Sequence, residues 1–268
     1  MRLNARMTNL GPLGAGSTRL STADPAAAVD AAAELEALGY STLWLAGGQE
    51  NNLPQVGHIV RGTSKIEVAT GIQSVDVVPA TSVAEAYEAL GPRFVVGLGG
   101  AHRGRPFATM NAYLDALDSR VPESARILSA LGPQMLALAR DRAAGAYPYL
   151  VTPDYVRSAR EILGPSRQLP VLLNIVAERD AAEARSVARA GSLGFLAPRY
   201  AGNLRRMGFT DDDITSLSDR LVDGVVVWGD FDTVVRRVRE YRDAGADQIV
   251  VPVEGLPKQW LADLPEAL

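Results

Sequence analysis

The 268-residue chain has no cysteine and only two histidines, His58 and His102. Without cysteine there is no disulfide, no thiolate metal site and no thiol nucleophile, and two imidazoles are too few for most zinc sites. Metal chemistry is not expected. Lysine is nearly missing too: Lys65 and Lys258 are the only two, so almost all positive charge is arginine. A formal net charge of -4 leaves the chain without the basic excess of a general nucleic-acid binder. No apolar run approaches the roughly 20 residues that cross a bilayer. The opening MRLNARMTNLGPLGAG holds no apolar block that would act as a signal peptide. A cytoplasmic protein without membrane or nucleic-acid partners is the expectation. What is present is average for a globular protein, with 47% hydrophobic and 22% charged residues. Residues 1–268 are expected to form one domain, because single cores stop growing near roughly 250–300 residues.

Helix-type and strand-type segments alternate along the chain. Asp24 before Pro25 reads as a helix N-cap with a first-turn proline, and Thr152-Pro153 repeats the design. Ser82 with Glu85 and Asp180 with Glu183 match the reciprocal capping pattern. Gly39, Gly145 and Gly245 each follow a helix and precede a strand, which suits a left-handed position closing the helix. In the helix around residues 234–242, Val234, Val235, Val238 and Tyr241 share a face while four arginines lie away from it. The strand candidates are short and rich in Val, Ile and Leu: residues 42–45, 66–70, 94–98, 126–128, 146–150, 171–176 and 248–252, with a weaker one at 10–15. Short apolar strands between helices require a parallel sheet covered by helices. About eight such units fit the length of a closed (β/α)8 TIM barrel. An open doubly wound sheet is the alternative, disfavoured partly because no glycine fingerprint follows the first strand. Residues 196–223 break the rhythm and read as an insertion between the seventh and eighth strands with helices of its own, placed as a lid or an oligomer contact.

In such a barrel the site gathers where the strands end. After the fifth strand come Ala130, Leu131, Gly132, Pro133, Gln134 and Met135. A helix starting at Gly-Pro has no capping side chain, so the amides of Gln134 and Met135 are free for an anion or for water. After the fourth strand, Gly97, Gly99 and Gly100 permit a flat ring or a phosphate to approach the backbone. His102 follows them and is the candidate for proton transfer, although a loop histidine is commonly just solvated. Arg103 and Arg105 beside it are candidates for an acidic ligand tail, although exposed loop arginines usually need no such partner. After the third strand, Thr70, Gly71 and Ile72 suggest a bulge. The Gly-Ser-Leu-Gly stretch at 191–194 follows a helix, which rules out a hydrolase elbow.

Together the segments LEALGYSTLWL, IEVATGI, RFVVGLGGAH, RPFATMNAYLDALD, ILSALGPQMLALARDRAAGAYPYLVTPDYV and AGADQIVV resemble the luciferase-like monooxygenase superfamily, in particular its branch using the deazaflavin coenzyme F420. The resemblance implies a TIM barrel and an oxidoreductase that moves a hydride between F420 and a small organic substrate. FMN is the alternative cofactor, as in a luciferase-like monooxygenase, and a non-catalytic flavin-binding relative is a third reading. It further implies a non-prolyl cis peptide at Gly71-Ile72 behind the ring, with Gly99 and Gly100 bordering the ring. Residues 130–135 would hold the ribityl-phosphate region. A homodimer, frequent in that family, is compatible with the chain. Where several relatives carry an acidic residue and often a histidine after the second strand, this chain has Ala46-Gly47-Gly48. Where some carry a glutamate after the fourth, it has Gly100, which leaves His102 as the catalytic candidate by position.

Overall fold

The capping chemistry sets the first helices. In the computed structural model, which describes residues 10–47, 50–101 and 105–268, the Asp24 carboxylate accepts from the amides of Ala26 and Ala27 at 3.0 and 3.2 Å. The Thr152 hydroxyl accepts from the Tyr155 amide at 3.2 Å. The Asp180 carboxylate accepts from Glu183 N at 2.9 Å, but the return bond to the Asp180 amide comes from Glu178 rather than Glu183. Ser82 caps nothing: its helix starts earlier, behind Pro79, and the Ser82 amide bonds the Pro79 carbonyl.

The strands in chain order are β1 (Leu13–Ser17), β2 (Thr42–Leu45), β3 (Glu67–Thr70), β4 (Gln73–Ser74), β5 (Phe94–Gly99), β6 (Arg126–Leu128), β7 (Gly145–Ala146), β8 (Pro170–Leu172), β9 (Asn174–Val176), β10 (Val226–Trp228) and β11 (Gln248–Pro252). The helices are α1 (Pro25–Ala37), α2 (Leu53–Gly62), α3 (Ala80–Leu90), α4 (Pro106–Leu117), α5 (Pro133–Arg142), α6 (Pro153–Leu163), α7 (Ala181–Ala190), α8 (Ser192–Arg206), α9 (Asp211–Ser216), α10 (Asp219–Val225), α11 (Phe231–Asp243) and α12 (Lys258–Ala267). All strand pairs are parallel. The sheet order β7-β6-β5-β3-β2-β1-β11-β8 closes on itself through bridges from Gly145 to Gln168 and from Tyr149 to Leu172. This is the expected eight-stranded barrel, with β8 and β11 as its seventh and eighth staves.

Several details depart from the sequence-based expectation. The stretch 171–176 is not one strand: β8 stays in the barrel beside β11, and β9 leaves it to pair with β10. Of the 146–150 region only Ala146 is strand, as the end of β7, and the chain continues to the Tyr149 bridge. The insertion is longer than expected, running through α8, α9 and α10 and delivering β10, a strand not foreseen; α12 was not foreseen either. Gly39 and Gly245 have φ of +98° and +111°, as their helix-closing positions demand. Gly145 does not share that role. A Cβ there would stand 1.8 Å from the Gln168 carbonyl oxygen, so close strand packing is what requires glycine.

Three apolar clusters follow from this layout. Leu10, Trp44, Ala69, Val95, Ile127, Ala144, Tyr147 and Val250 fill the barrel interior. A larger set packs the sheet against its helices. The insertion has a separate nucleus that includes Leu193, Leu204, Phe209, Leu221 and Val225.

At the opposite end of β3 from the expected site, Glu67 has a buried Oε2 with no hydrogen-bond partner. Burial pushes its carboxyl up from 4.5 to about 7. The unfolded chain releases this proton near 4.5, while the folded chain holds it to about 7. Stability is therefore greatest at low pH, falls as pH rises through that window and levels off above it. Because solvent reaches part of the side chain, the loss is on the order of 1 kcal/mol. Glu67→Gln, neutral at every pH, should unfold at about the wild-type temperature at pH 4 and a few degrees higher at pH 8. Melting curves at both pH values check this; an equal shift at both would mean the carboxyl is not the cause.

Candidate functional site at the strand C-termini

Parallel register brings the ends of β3, β5 and β6 to one rim, since Leu98 pairs with Leu128 and Val68 with Phe94. The rim residues expected from sequence meet there. The Gly71–Ile72 peptide is cis, at the position the resemblance implies. A Cβ on Gly71 would lie 3.3 Å from Trp44 Cβ and 3.5 Å from Tyr147 Cε1, so the bulge rests on those two rings. The rings stack with centroids 4.1 Å apart and planes 10° from parallel. A Cβ on Gly99 would reach Ile72 Cγ1 at 2.7 Å and Ser129 Cβ at 3.0 Å. Gly99 thus links the bulge after β3 to the loop that leads into α5.

Gly100 has φ +85°, and a Cβ on it would meet the Ser74 hydroxyl oxygen at 2.5 Å. Gly97 belongs to the scaffold instead of the ligand face: its missing side chain makes room for the Thr70 carbonyl, 1.8 Å from where a Cβ would sit. Thr70 is fully buried, and its hydroxyl donates to the Gly97 carbonyl at 2.8 Å and accepts from the Gly97 amide at 3.0 Å. Only the backbone of Thr70 is left to face a ligand. His102 and Arg103 lie outside the described residues.

The loop after β6 is fastened from α6, whose Tyr155 hydroxyl donates to the Leu131 carbonyl at 2.9 Å. Helix α5 begins at Gly132 with no side-chain cap. Its first-turn amides carry the positive end of the helix dipole toward the rim. Arg206, at the end of α8, lies with its guanidinium carbon 3.7 Å from the Cβ position of Gly132 and has no carboxylate partner among the described residues. Its neighbour Arg205 is spent on Asp211, 2.7 Å away. The two arginines are therefore not equivalent, and Arg206 is the one available to an anion.

A cavity of about 540 Å³ opens beside this corner, between α5 and α6 on one side and the insertion on the other. Asn203 of α8 lines it, is 4% exposed, and has no hydrogen-bond partner on either Nδ2 or Oδ1. Each unmet buried group costs about 1–3 kcal/mol.

Sequence reasoning missed Asn203, although a signal exists: it interrupts the helical stripe Leu196, Tyr200, Met207. Also missed was a group of tyrosines. Tyr147 and Tyr149 are two apart in an extended segment, and Tyr149 meets Tyr200 of α8 edge to face at 6.0 Å. The Tyr149 hydroxyl shares a 3.0 Å hydrogen bond with the Ser192 hydroxyl, to which Asn174 Nδ2 donates at 3.1 Å. Burial raises all three phenols, Tyr200 to about 12, and at Tyr147 its neighbours Tyr149 and Tyr200 add to the rise. All three stay protonated near neutrality, so they offer donors and no base. After β2, Gly47 leaves room for Asn52 Nδ2 and the Ile72 carbonyl, 2.4 and 2.8 Å from its Cβ position. Gln73 ties the same loops by accepting from the Asn52 amide at 3.2 Å and donating to the Glu50 carbonyl at 2.9 Å.

Among the described residues no helix is long and apolar enough to cross a membrane, and no group of His, Asp and Glu is arranged to hold a metal. Residues 7–131 match the family model of the luciferase-like monooxygenases. No curated protein matches the sequence. Among solved structures, the coenzyme F420-dependent tetrahydromethanopterin reductase of Methanopyrus kandleri superposes with a TM-score of 0.74 at 15% identity, covering 96% of this chain and 99% of that one. An F420-dependent secondary alcohol dehydrogenase, complexed with an F420-acetone adduct, gives 0.71 at 12%, covering 96% and 98%. The oxygenating constituent of 3,6-diketocamphane monooxygenase from Pseudomonas putida, complexed with FMN, gives 0.61 at 12%, covering 96% and 95%.

Proposed function

Starting from a chain that carries luciferase-like monooxygenase sequence over residues 7–131 and folds throughout as the barrel of such proteins, we propose that it is an oxidoreductase moving a hydride between coenzyme F420 and a small organic substrate. The observation that carries the reading is the corner at Gly132. An uncapped helix start and an Arg206 unpaired among the described residues meet there, one loop away from the Gly71, Ile72 and Gly99 surface. An elongated molecule with a flat ring at one end and a phosphate further along fits that spacing of groups.

In this reading the backbone of Thr70 and Gly71, with the Ile72 side chain, backs the ring, while Gly99 and Gly100 border it. Ala130, Leu131, Gly132, Pro133, Gln134 and Met135 hold the phosphate region, the charge being met by free amides and by Arg206. When bound, the deazaflavin supplies the carbon centre that gives or accepts a hydride, and the protein supplies orientation and electrostatics. His102 is the proposed proton donor. The hydroxyls of Tyr149 and Tyr200, which are only part-buried, are suited to hold a carbonyl or hydroxyl oxygen of the substrate. FMN is the second reading, favoured by the monooxygenase family match and the FMN-bound neighbour.

Fluorescence titration of the protein with F420 and with FMN tests the proposal. Tight binding of F420 and none of FMN is expected; FMN alone binding would move the reading to a flavin monooxygenase, and neither binding would end it. Gly132→Asp gives a sharper check. The backbone there is extended, with φ -87° and ψ 156°, and the nearest atoms to the new Cβ stand at 3.7 Å. An aspartate would cap α5 with its own carboxylate, raising stability by a few tenths of a kcal/mol, on the order of 0.5 kcal/mol with the helix dipole, while filling the anion position. Cofactor affinity should fall at least about tenfold as the melting temperature rises. Unchanged affinity would separate the phosphate from this helix.

A further inference from the structure

Beyond the cofactor, we infer that Tyr147 is a catalytic residue whose hydroxyl donates a hydrogen bond to the oxygen of a ketone or aldehyde substrate while hydride reaches the adjoining carbon. The inference rests on the hydride-transfer reading above and adds to it the substrate class and the group that holds it.

Backbone register sets the level of Tyr147. Its amide donates to the Leu128 carbonyl at 2.8 Å, and the Ser129 amide donates to the Leu98 carbonyl at 2.7 Å, so Tyr147, Ser129 and Gly99 stand in one layer just past the strand ends. Tyr147 faces the barrel interior, where it stacks on Trp44. Its Cε1, two bonds from the hydroxyl oxygen, lies 3.5 Å from the Cβ position of Gly71, against the bulge proposed to back the ring. The side chain is 4% exposed, yet its hydroxyl has no hydrogen-bond partner among the described residues and borders open space. A fixed donor at that level is ready for an acceptor that the chain itself does not supply.

The rest of the mouth says what that acceptor is. Two positions beyond the interior residues Trp44, Ala69 and Val250 come Ala46, Gly71 and Pro252, and β5 ends in Gly99; none carries a hydrogen-bonding side chain. On the β8 side, Asn174 and Tyr149 are already joined through Ser192. Burial holds the Tyr147 phenol protonated at neutrality and well beyond, so it donates and takes no proton. Hydride addition to a carbonyl carbon turns the π pair of C=O into an alkoxide lone pair, and a hydrogen bond fixed beside it gains strength as that charge develops. An iminium carbon loses its charge in the same step and presents no such oxygen. The carbonyl gains two electrons with the hydride as the reduced deazaflavin is oxidised; its oxygen takes the proton from the proposed donor His102, and Tyr147 keeps its own.

The test uses the full chain loaded with F420 and three probes labelled with carbon-13 at the carbonyl: acetone, cyclohexanone and benzaldehyde. With oxidised cofactor, which cannot reduce them, at least one probe should bind with its carbonyl resonance moved downfield, and Tyr147→Phe should abolish the movement. With reduced cofactor the same probe should turn over, and kcat should fall about a hundredfold in Tyr147→Phe while F420 affinity stays within about twofold. The variant keeps a ring on Trp44 and deletes a hydroxyl without a partner, so its melting temperature should match the wild type. Probe binding to the wild type without a downfield movement would overturn the inference even if the variant failed to fold. With F420 bound, three further results would overturn it and leave the hydride-transfer reading standing: no probe binding, an unchanged kcat in Tyr147→Phe, or a loss of F420 affinity of about tenfold in that variant. If F420 does not bind the wild type, that reading falls and takes the inference with it.

Discussion

Gly97→Ala is expected to remove about 4 kcal/mol of stability, a large loss for a single added methyl. The added carbon would stand 1.8 Å from the Thr70 carbonyl oxygen and 3.0 Å from its carbon. A flexible side chain would swing away, but these are backbone atoms of a paired strand. Thr70 is further pinned by its hydroxyl, which bonds both the amide and the carbonyl of Gly97. Relief therefore requires β3 and β5 to separate where they form the rim. Since a domain of this kind is stable by only about 5–15 kcal/mol, much of the protein should be unfolded or insoluble at physiological temperature. Urea unfolding measures it, with Gly91→Ala as a control: that glycine has φ +72° but nothing within 4 Å of its Cβ position, so only the backbone conformation is penalised. Equal losses in the two variants would show that the contact with Thr70 relaxes without the strands separating.

Trp44→Ala is the second large effect, with an expected loss of about 3–5 kcal/mol. The indole is 1% exposed, stacks on Tyr147, and donates from Nε1 to Gln248 Oε1 at 2.9 Å. Truncation opens a void in the barrel centre and unpairs an oxygen of Gln248, a residue itself fully buried. Trp44→Phe keeps a ring for Tyr147 and loses the hydrogen bond, so it should cost only about 1–2 kcal/mol. The pair of variants separates stacking from hydrogen bonding. The alanine variant should also lose cofactor affinity, because the Gly71 bulge lies on this ring; the phenylalanine variant should keep most of it. Denaturant unfolding and cofactor titration read the two effects, and equal stability losses for both substitutions would refute the division.

What could be read from the sequence was what short-range chemistry decides. Asp24 and Thr152 cap helices because the bonds they make span two or three residues, and the sequence contains both partners. The alternation of helices with short apolar strands gave the barrel, and the glycines and uncapped helix start pointed to the rim. Misreadings arose where the cause is distant. Gly145 resembles the helix-closing Gly39 in its neighbours, yet its reason is a carbonyl 23 positions later, at Gln168. Ser82 and Glu85 have the spacing of a cap, but Pro79 lets the helix start first. The break between β8 and β9 depends on β10, which arrives about fifty residues downstream and is only Val226–Trp228 long. Asn203 could be noticed as a polar residue in an apolar stripe, but that both its amide atoms are unmet is a fact of packing alone.

The separate apolar nucleus of α8–α10 has an evolutionary consequence. Leu193, Leu204, Phe209 and Leu221 cohere with one another, and Leu150, Val226, Tyr149 and Val176 join them from the strand side. Apart from Met207, which also packs against the main core, residues of this roof can change with little effect on the packing under the rim, so the part of the molecule that holds Asn203 and Arg206 is free to diversify while the barrel stays constant. Descendants of such a protein would differ first in the shape of this roof, through drift in a single appended module.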